Sequence, residues 1–242
     1  MEGNFDGWVP VNETWTYASA DSPTFTFTLS GDKTNKYSPG MRIKLTQTSV
    51  KYFIVTAVSY SNPNTTVTVY GGTDYTLANA AITIPYYSEA KAPQGFPLDP
   101  TKWTVEVTDS TARSVSSPAV NTWYNPNAAD QISIPIGAWD VEYAGALYAY
   151  KNSITWIYVK GTLSTANNTE SDTGFTSYIN AYGASSGMQA NGAGTRSKNL
   201  TLTSKTLYYF NISADSSAST LDDLILNNTT FPLKISAVSA YL

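Results

Sequence analysis

Between Gln131 and Lys160 the chain reads QISIPIGAWDVEYAGALYAYKNSITWIYVK, and for most of that length an apolar side chain stands at every second position. Ile132, Ile134 and Ile136 alternate with Ser133 and Pro135, and Trp139, Val141 and Tyr143 alternate with Asp140 and Glu142. Leu147, Tyr148 and Tyr150 follow Gly145, and Ile154, Trp156 and Tyr158 then interleave with Ile157 and Val159. Extended backbone turns successive side chains to opposite faces, so a period of two sets one face in a core and the other in water. The pattern predicts a strand, a glycine bend near Gly137 and further strand. Its central pair of strands, 131–143 and 145–160, forms the heart of a β-sandwich.

The same period runs through the rest of the chain. Phe25, Phe27 and Leu29 alternate with threonines, and Met41, Ile43 and Leu45 alternate with Arg42, Lys44 and Thr46. KYFIVTAVSY (51–60) and TTVTVY (65–70) flank an Asn62-Pro63-Asn64 turn. Short strands punctuated by turns about every ten residues indicate a small barrel. One helical turn is expected at Leu77 to Ala80. Residues 88–101, SEAKAPQGFPLDPT, carry three prolines and one glycine and mark the linker, which places a boundary near residue 98. After it, Trp103, Val105 and Val107 open a second series of about eight strands, with Gly183 to Gly194 as a loop of small residues. Leu233 to Leu242 closes the chain, and its apolar content predicts a central strand. The fold class is therefore all-β, with an N-terminal small β-barrel or sandwich over 1–98 and a second β domain over 99–242.

Composition narrows the chemistry. Charged residues make up 13% of the chain, against roughly 25% in an average soluble domain. The deficit is filled by hydroxyl and amide side chains, and tyrosine alone occurs 18 times. A net charge of −4 without a basic cluster argues against nucleic acid. The chain has no histidine and no cysteine, which removes the usual general base, the usual zinc ligands and any disulfide. No cofactor and no enzyme activity is expected. There is no run of eighteen apolar residues, and the opening MEGNFDGW lacks a basic-then-apolar signal segment, so no membrane insertion is expected.

Each remaining cluster has a bland reading that competes with a functional one. Asn167 to Asp172 is the densest group of oxygen ligands, but it lacks the spacing of a calcium loop and reads as a solvated loop. Asp140 and Glu142 share a strand face at a separation a glycosidase pair could use, yet half-exposed alternation explains them equally. Serines and threonines have no histidine to activate them, and no G-x-S-x-G elbow occurs. Aromatic residues remain. Trp139 and Trp156 read as core or subunit contacts. Trp123 and Tyr124, in a Trp-Tyr-Asn-Pro corner, are the candidate surface contacts for a glycan or host.

Four stretches of the second half carry a resemblance. Ile132 to Tyr148, LSTANNTESD at 163–172, TRSKNLTLTSKTLYYFN at 195–211 and the closing ISAVSAYL are similar to C-terminal domains of structural proteins from tailed phages and prophages of Gram-positive bacteria. The first half resembles a small β domain of the same proteins through DGW at 6–8, TWTYASA at 14–20, SGDKTNKYSPGMRIKLTQ at 30–47 and DYTLANAAIT at 74–83. The resemblance implies a jelly roll like that of the tumour-necrosis-factor and C1q group, assembled as a homotrimer. It implies a head fibre or tail adhesin on the virion surface, attached through its N-terminal domain to other virion proteins. Tyr148, Tyr150 and Tyr158 suit the trimer interface. The resemblance transfers no catalytic residue. The alternatives are a carbohydrate-binding module and, below it, a carboxylate-only glycosidase.

Overall fold

The computed structural model describes residues 6–185, 187–226 and 231–242, so Met1 to Phe5 of the opening segment and Ser186 of the small-residue stretch lie outside it. Seven strands form the first sheet: β1 (Val9–Pro10), β2 (Thr16–Asp21), β3 (Thr24–Ser30), β4 (Arg42–Thr46), β5 (Val50–Ser61), β6 (Asn64–Tyr70) and β7 (Thr83–Ser88). They pair antiparallel in the order β1-β7-β4-β5-β6-β3-β2. No ladder joins β1 to β2 among the described residues, so the expected small barrel is an open sheet. One face of it holds Phe27, Ile43, Leu45, Phe53 and Val55 around Trp15 and Tyr37. Trp15 stacks on Phe27 with centroids 4.4 Å apart. The helical turn expected at Leu77 to Ala80 does not form. The Gln47 side chain donates to the carbonyls of Ala78 and Ala80 and accepts from the Ala78 amide, which takes up the groups a helical turn would use.

Ten further strands follow: β8 (Thr104–Asp109), β9 (Arg113–Ser116), β10 (Gln131–Ile134), β11 (Gly137–Lys151), β12 (Ile154–Ser164), β13 (Ser177–Ser185), β14 (Met188–Leu202), β15 (Thr206–Ser216), β16 (Asp223–Leu226) and β17 (Leu233–Ser239). Strands β16 and β17 lie end to end along β11, opposite Leu147 to Tyr150 and Trp139 to Ala144 respectively. Strands β8 and β9 lie end to end along those two. One sheet thus has four positions, β8/β9, β17/β16, β11 and β14, and the other has β10-β15-β12-β13. The chain changes sheet at every connection from β9 to β16 except β12 to β13, which is the strand order of an eight-position jelly roll. Its core is the inward half of each alternation: Trp139, Val141, Tyr143 and Leu147 of β11, Ile157 and Val159 of β12, and Phe210 and Ile212 of β15. As expected, β17 is central, between β8 and β11.

Two boundaries differ from the sequence reading. The chain reverses at Asn152-Ser153, where Ser153 has φ 57°, and β11 runs straight through Gly145. The bend at Gly137, with φ 133°, forms as expected. Residues 188–194 are strand, because β14 pairs with β11 along its whole length. Their small side chains make room for neighbours. A Cβ on Gly194 would lie 2.5 Å from Leu147 Cδ1, and one on Gly192 3.2 Å from Ile179 Cδ1.

The proline-rich stretch is packed, not free. Phe96 stacks on Trp103 at 5.1 Å, and Tyr70 of the first sheet meets Trp139 of the sandwich edge-on at 5.0 Å. These rings and Ile54 join the core of the sandwich. Arg42, fully buried, donates to the carbonyls of Lys91 (3.0 Å), Gly40 (2.7 Å) and Tyr241 (2.8 Å). Burial pushes its pKa down to about 10.

Candidate functional site

The outward half of each alternation gives the sandwich two large exposed faces. The first belongs to the sheet of β11. Along that strand Ala138, Asp140, Glu142, Ala144, Ala146, Tyr148 and Tyr150 point away from the core. Their ladder partners on β14 include Asn199, Ser197, Thr195, Ala193 and Asn191, and those on β17 include Lys234 and Ser236. Small side chains at the centre leave a shallow depression of about 560 Å³ between Glu142, Ala144, Thr195, Arg196, Lys234 and Ser236. The expected acid pair lies here. Asp140 accepts a hydrogen bond from Asn199, Glu142 accepts one from Ser236 at 3.2 Å, and both are solvent-exposed. Lys234 pairs with Glu106 at 2.8 Å across the same face.

Tyr148 and Tyr150 stand at one end of this face, opposite Ile225 and Asp223 of β16. Burial, followed by the Asp223 charge, pushes the Tyr148 hydroxyl up from its ordinary value. Tyr150 donates to Asn152 at 2.8 Å. Tyr158, grouped with them by the sequence, lies on the opposite side of the sandwich, because β12 belongs to the other sheet.

The second face belongs to β15, β12 and β13. Ile157 and Val159 turn inward, so Trp156, Tyr158 and Lys160 turn outward. Across the ladder they meet Tyr182, Asn180 and Tyr178 of β13. The Trp156 and Tyr158 rings are 5.7 Å apart and within 16° of parallel. Tyr158 donates to Asp215 at 2.8 Å, and burial together with that carboxylate pushes its hydroxyl up to about 12. Trp123 joins this face from the preceding loop, with the Lys160 ammonium 5.2 Å from its ring and 5.4 Å from that of Tyr158. Tyr124 serves differently. Its backbone pairs with Ile212, and its hydroxyl accepts from the Ala119 amide at 3.0 Å, which fixes the corner that carries Trp123.

Sequence reasoning singled out Trp123 but missed Tyr178 and Tyr182, which are 66% and 76% exposed. The signal was present, since Tyr178, Asn180 and Tyr182 alternate with Ile179 and Ala181. The Asn167 to Asp172 loop is tied by its own contacts: Asp172 pairs with Lys198 and accepts from the Gly174 amide, and Glu170 accepts from Thr176. Among the described residues no group of three or more Asp and Glu could hold a metal ion.

A third feature is a buried acid. Asp130, just before β10, is fully buried, and burial together with the neighbouring Asp109 carboxylate pushes its pKa up to about 7. Asp109 is held below the usual carboxylate range by the Thr111 amide and by Arg113 at 2.9 Å, against the opposing effect of its own burial.

No family model matches the chain, and no curated protein matches it. Among solved structures it is similar to chains from the infectious bursal disease virus Gx strain (13% identity, 94% of this chain, TM-score 0.30) and Gt strain (11%, 94%, 0.28). A third is a crystal structure of the VP2 subviral particle of that virus (11% identity, 93% of this chain, TM-score 0.21). The chain spans 59–62% of the length of these relatives.

Proposed function

We propose that the chain is a structural protein of a phage virion, exposed on head or tail as a homotrimeric fibre or adhesin. In this reading the first sheet docks to other virion proteins and the jelly roll projects outward to meet the host surface. The observation that carries it is the face of β8/β9, β17/β16, β11 and β14. It is broad and shallow; alanine, serine, threonine and asparagine share it with Asp140, Glu142 and the Lys234–Glu106 pair, and Tyr148 and Tyr150 stand at one end. Small side chains let backbones approach closely, and tyrosine adds large contact area with few rotamers, which suits a repeated subunit contact. The strand order supports the same reading, as does the resemblance of the four stretches named above. Tyr158 is not part of this contact.

Light scattering of the purified protein tests it. The expected mass is about three times the chain mass of 26.2 kDa. Ala146→Arg, at the centre of the proposed contact, should shift that mass to the monomer without lowering the melting temperature. A wild-type monomer at micromolar concentration would overturn the trimer. Cryo-microscopy of the parent particle tests the location, with density expected on the outer surface of head or tail; its absence there would overturn the virion assignment.

A further inference from the structure

We propose that the outward face of β12 and β13 binds a neutral oligosaccharide. The proposal deepens the preceding reading and rests on it for turning this face away from the trimer contact. Tyr178 and Tyr182, the two most exposed large aromatics among the described residues, stand opposite Lys160 and Trp156 on the same face of β13, with the Asn180–Tyr158 rung between them. Isolated exposed rings need no explanation, but a contiguous aromatic patch rimmed by polar groups marks an interaction surface.

Charge selects the occupant. The outward positions of β15, β12 and β13 hold one cation, Lys160, and one anion, Asp215. Lys160 lies between the Trp123 and Tyr158 rings, and Asp215 already accepts from Tyr158. A polyanion needs clustered Lys and Arg, and a basic segment needs clustered carboxylates; this face has neither. An uncharged partner that is wholly apolar would strip water from Asn180, Asp215 and Lys160 with nothing to replace it. A pyranose meets both demands. Its C–H faces lie on electron-rich rings, and its hydroxyls reach the Asn180 amide and the acceptor sites that Asp215 still has open. The Trp156 and Tyr158 rings, stacked 5.7 Å apart, add apolar surface along the strand.

The test titrates the intact protein calorimetrically with cellohexaose, maltohexaose and the hexamer of N-acetylglucosamine, with polygalacturonate as the anionic comparison. At least one neutral hexamer should bind, and Tyr178→Ala/Tyr182→Ala should weaken it by about tenfold or more. Tyr148→Ala, on the opposite face, should leave it within about twofold. Both tyrosines are exposed, so the double variant should melt with the wild type; if it does not, Tyr182→Ala alone should still weaken binding several-fold. The proposal is overturned if no neutral hexamer binds, if polygalacturonate binds more tightly, or if the tyrosine variants bind unchanged. A tyrosine variant that instead changes the oligomer mass assigns the face to a second copy of the chain and also overturns it. A monomer that binds the sugar refutes only the trimer, and a trimer that binds none refutes only this site.

Discussion

Replacing Arg42 by methionine would remove a side chain of the first sheet that joins the carbonyls of Gly40 and Lys91 to that of Tyr241 in the closing segment. The guanidinium is fully buried, lies 4.8 Å from the Phe96 ring and has no carboxylate within ion-pair distance among the described residues. Its pKa of about 10 reflects burial alone, a desolvation of roughly 3 kcal/mol that methionine would relieve. Against that gain, the carbonyls of Gly40, Lys91 and Tyr241 lose their donors, at about 1–3 kcal/mol each. With the carbonyls at mid-range, the balance is a loss of about 3 kcal/mol. For a chain of this length that lowers the melting temperature by roughly 10 °C. Urea unfolding of Arg42→Met, followed by tryptophan fluorescence, measures it. Arg42→Lys should fall between the two, because an ammonium cannot present the planar fork that reaches three separate carbonyls. A methionine variant within about 1 kcal/mol of the wild type would refute the reasoning, since the three bonds would then do no more than offset the burial of the charge.

Two further perturbations probe the sandwich. Gly194→Ala would drive a methyl group into Leu147 Cδ1 and the Ser177 hydroxyl, an overpacking that should cost about 1–3 kcal/mol in chemical denaturation; trimming the neighbour in Gly194→Ala/Leu147→Val should recover part of the loss, and strict additivity would show that the two do not compete for space. Asp130 should make stability fall as pH rises: its folded pKa of about 7 stands above its unfolded value, so its contribution is full below pH ~4 and lost by about pH 7, up to roughly 4 kcal/mol. Asp109, whose folded pKa is depressed, acts oppositely and loses its contribution only as pH falls below its unfolded value near 4. Urea midpoints measured across that range should decline toward neutral pH in the wild type and flatten in Asp130→Asn, and an equal decline in both would acquit Asp130.

Much of the fold was legible because alternation is local. The runs at Phe25 to Leu29, Trp139 to Tyr143 and Leu233 to Ser239 are strands with the inward residues the period demands. What failed was reasoning from residue type. Glycine and alanine between Met188 and Gly194 suggested a loop, yet they are strand because Leu147 and Ile179 occupy the space their side chains would fill. The expected break between strands 131–143 and 145–160 does not occur; the reversal comes at Asn152-Ser153, where polar residues leave the sheet. The candidate site was half legible. Trp123 was found by its corner, whereas Tyr178 and Tyr182 hid inside an ordinary strand pattern, and Tyr158 was grouped with tyrosines it never approaches.

The sequence by itself determined that this chain is all-β, sparing of charge and without histidine or cysteine, and it determined which residues of each strand share a face. Only the tertiary structure decided what covers each face. Arg42 alternates with Ile43 and Leu45 as a surface residue should, but the closing segment folds over it and buries its charge among carbonyls. Strands β11 and β12 are neighbours in the chain, but the turn between them sends Tyr150 and Tyr158 to opposite sides of the molecule. A period of two records direction relative to the strand's own plane; the packing of sheets far apart in sequence settles whether that direction is core, contact or solvent.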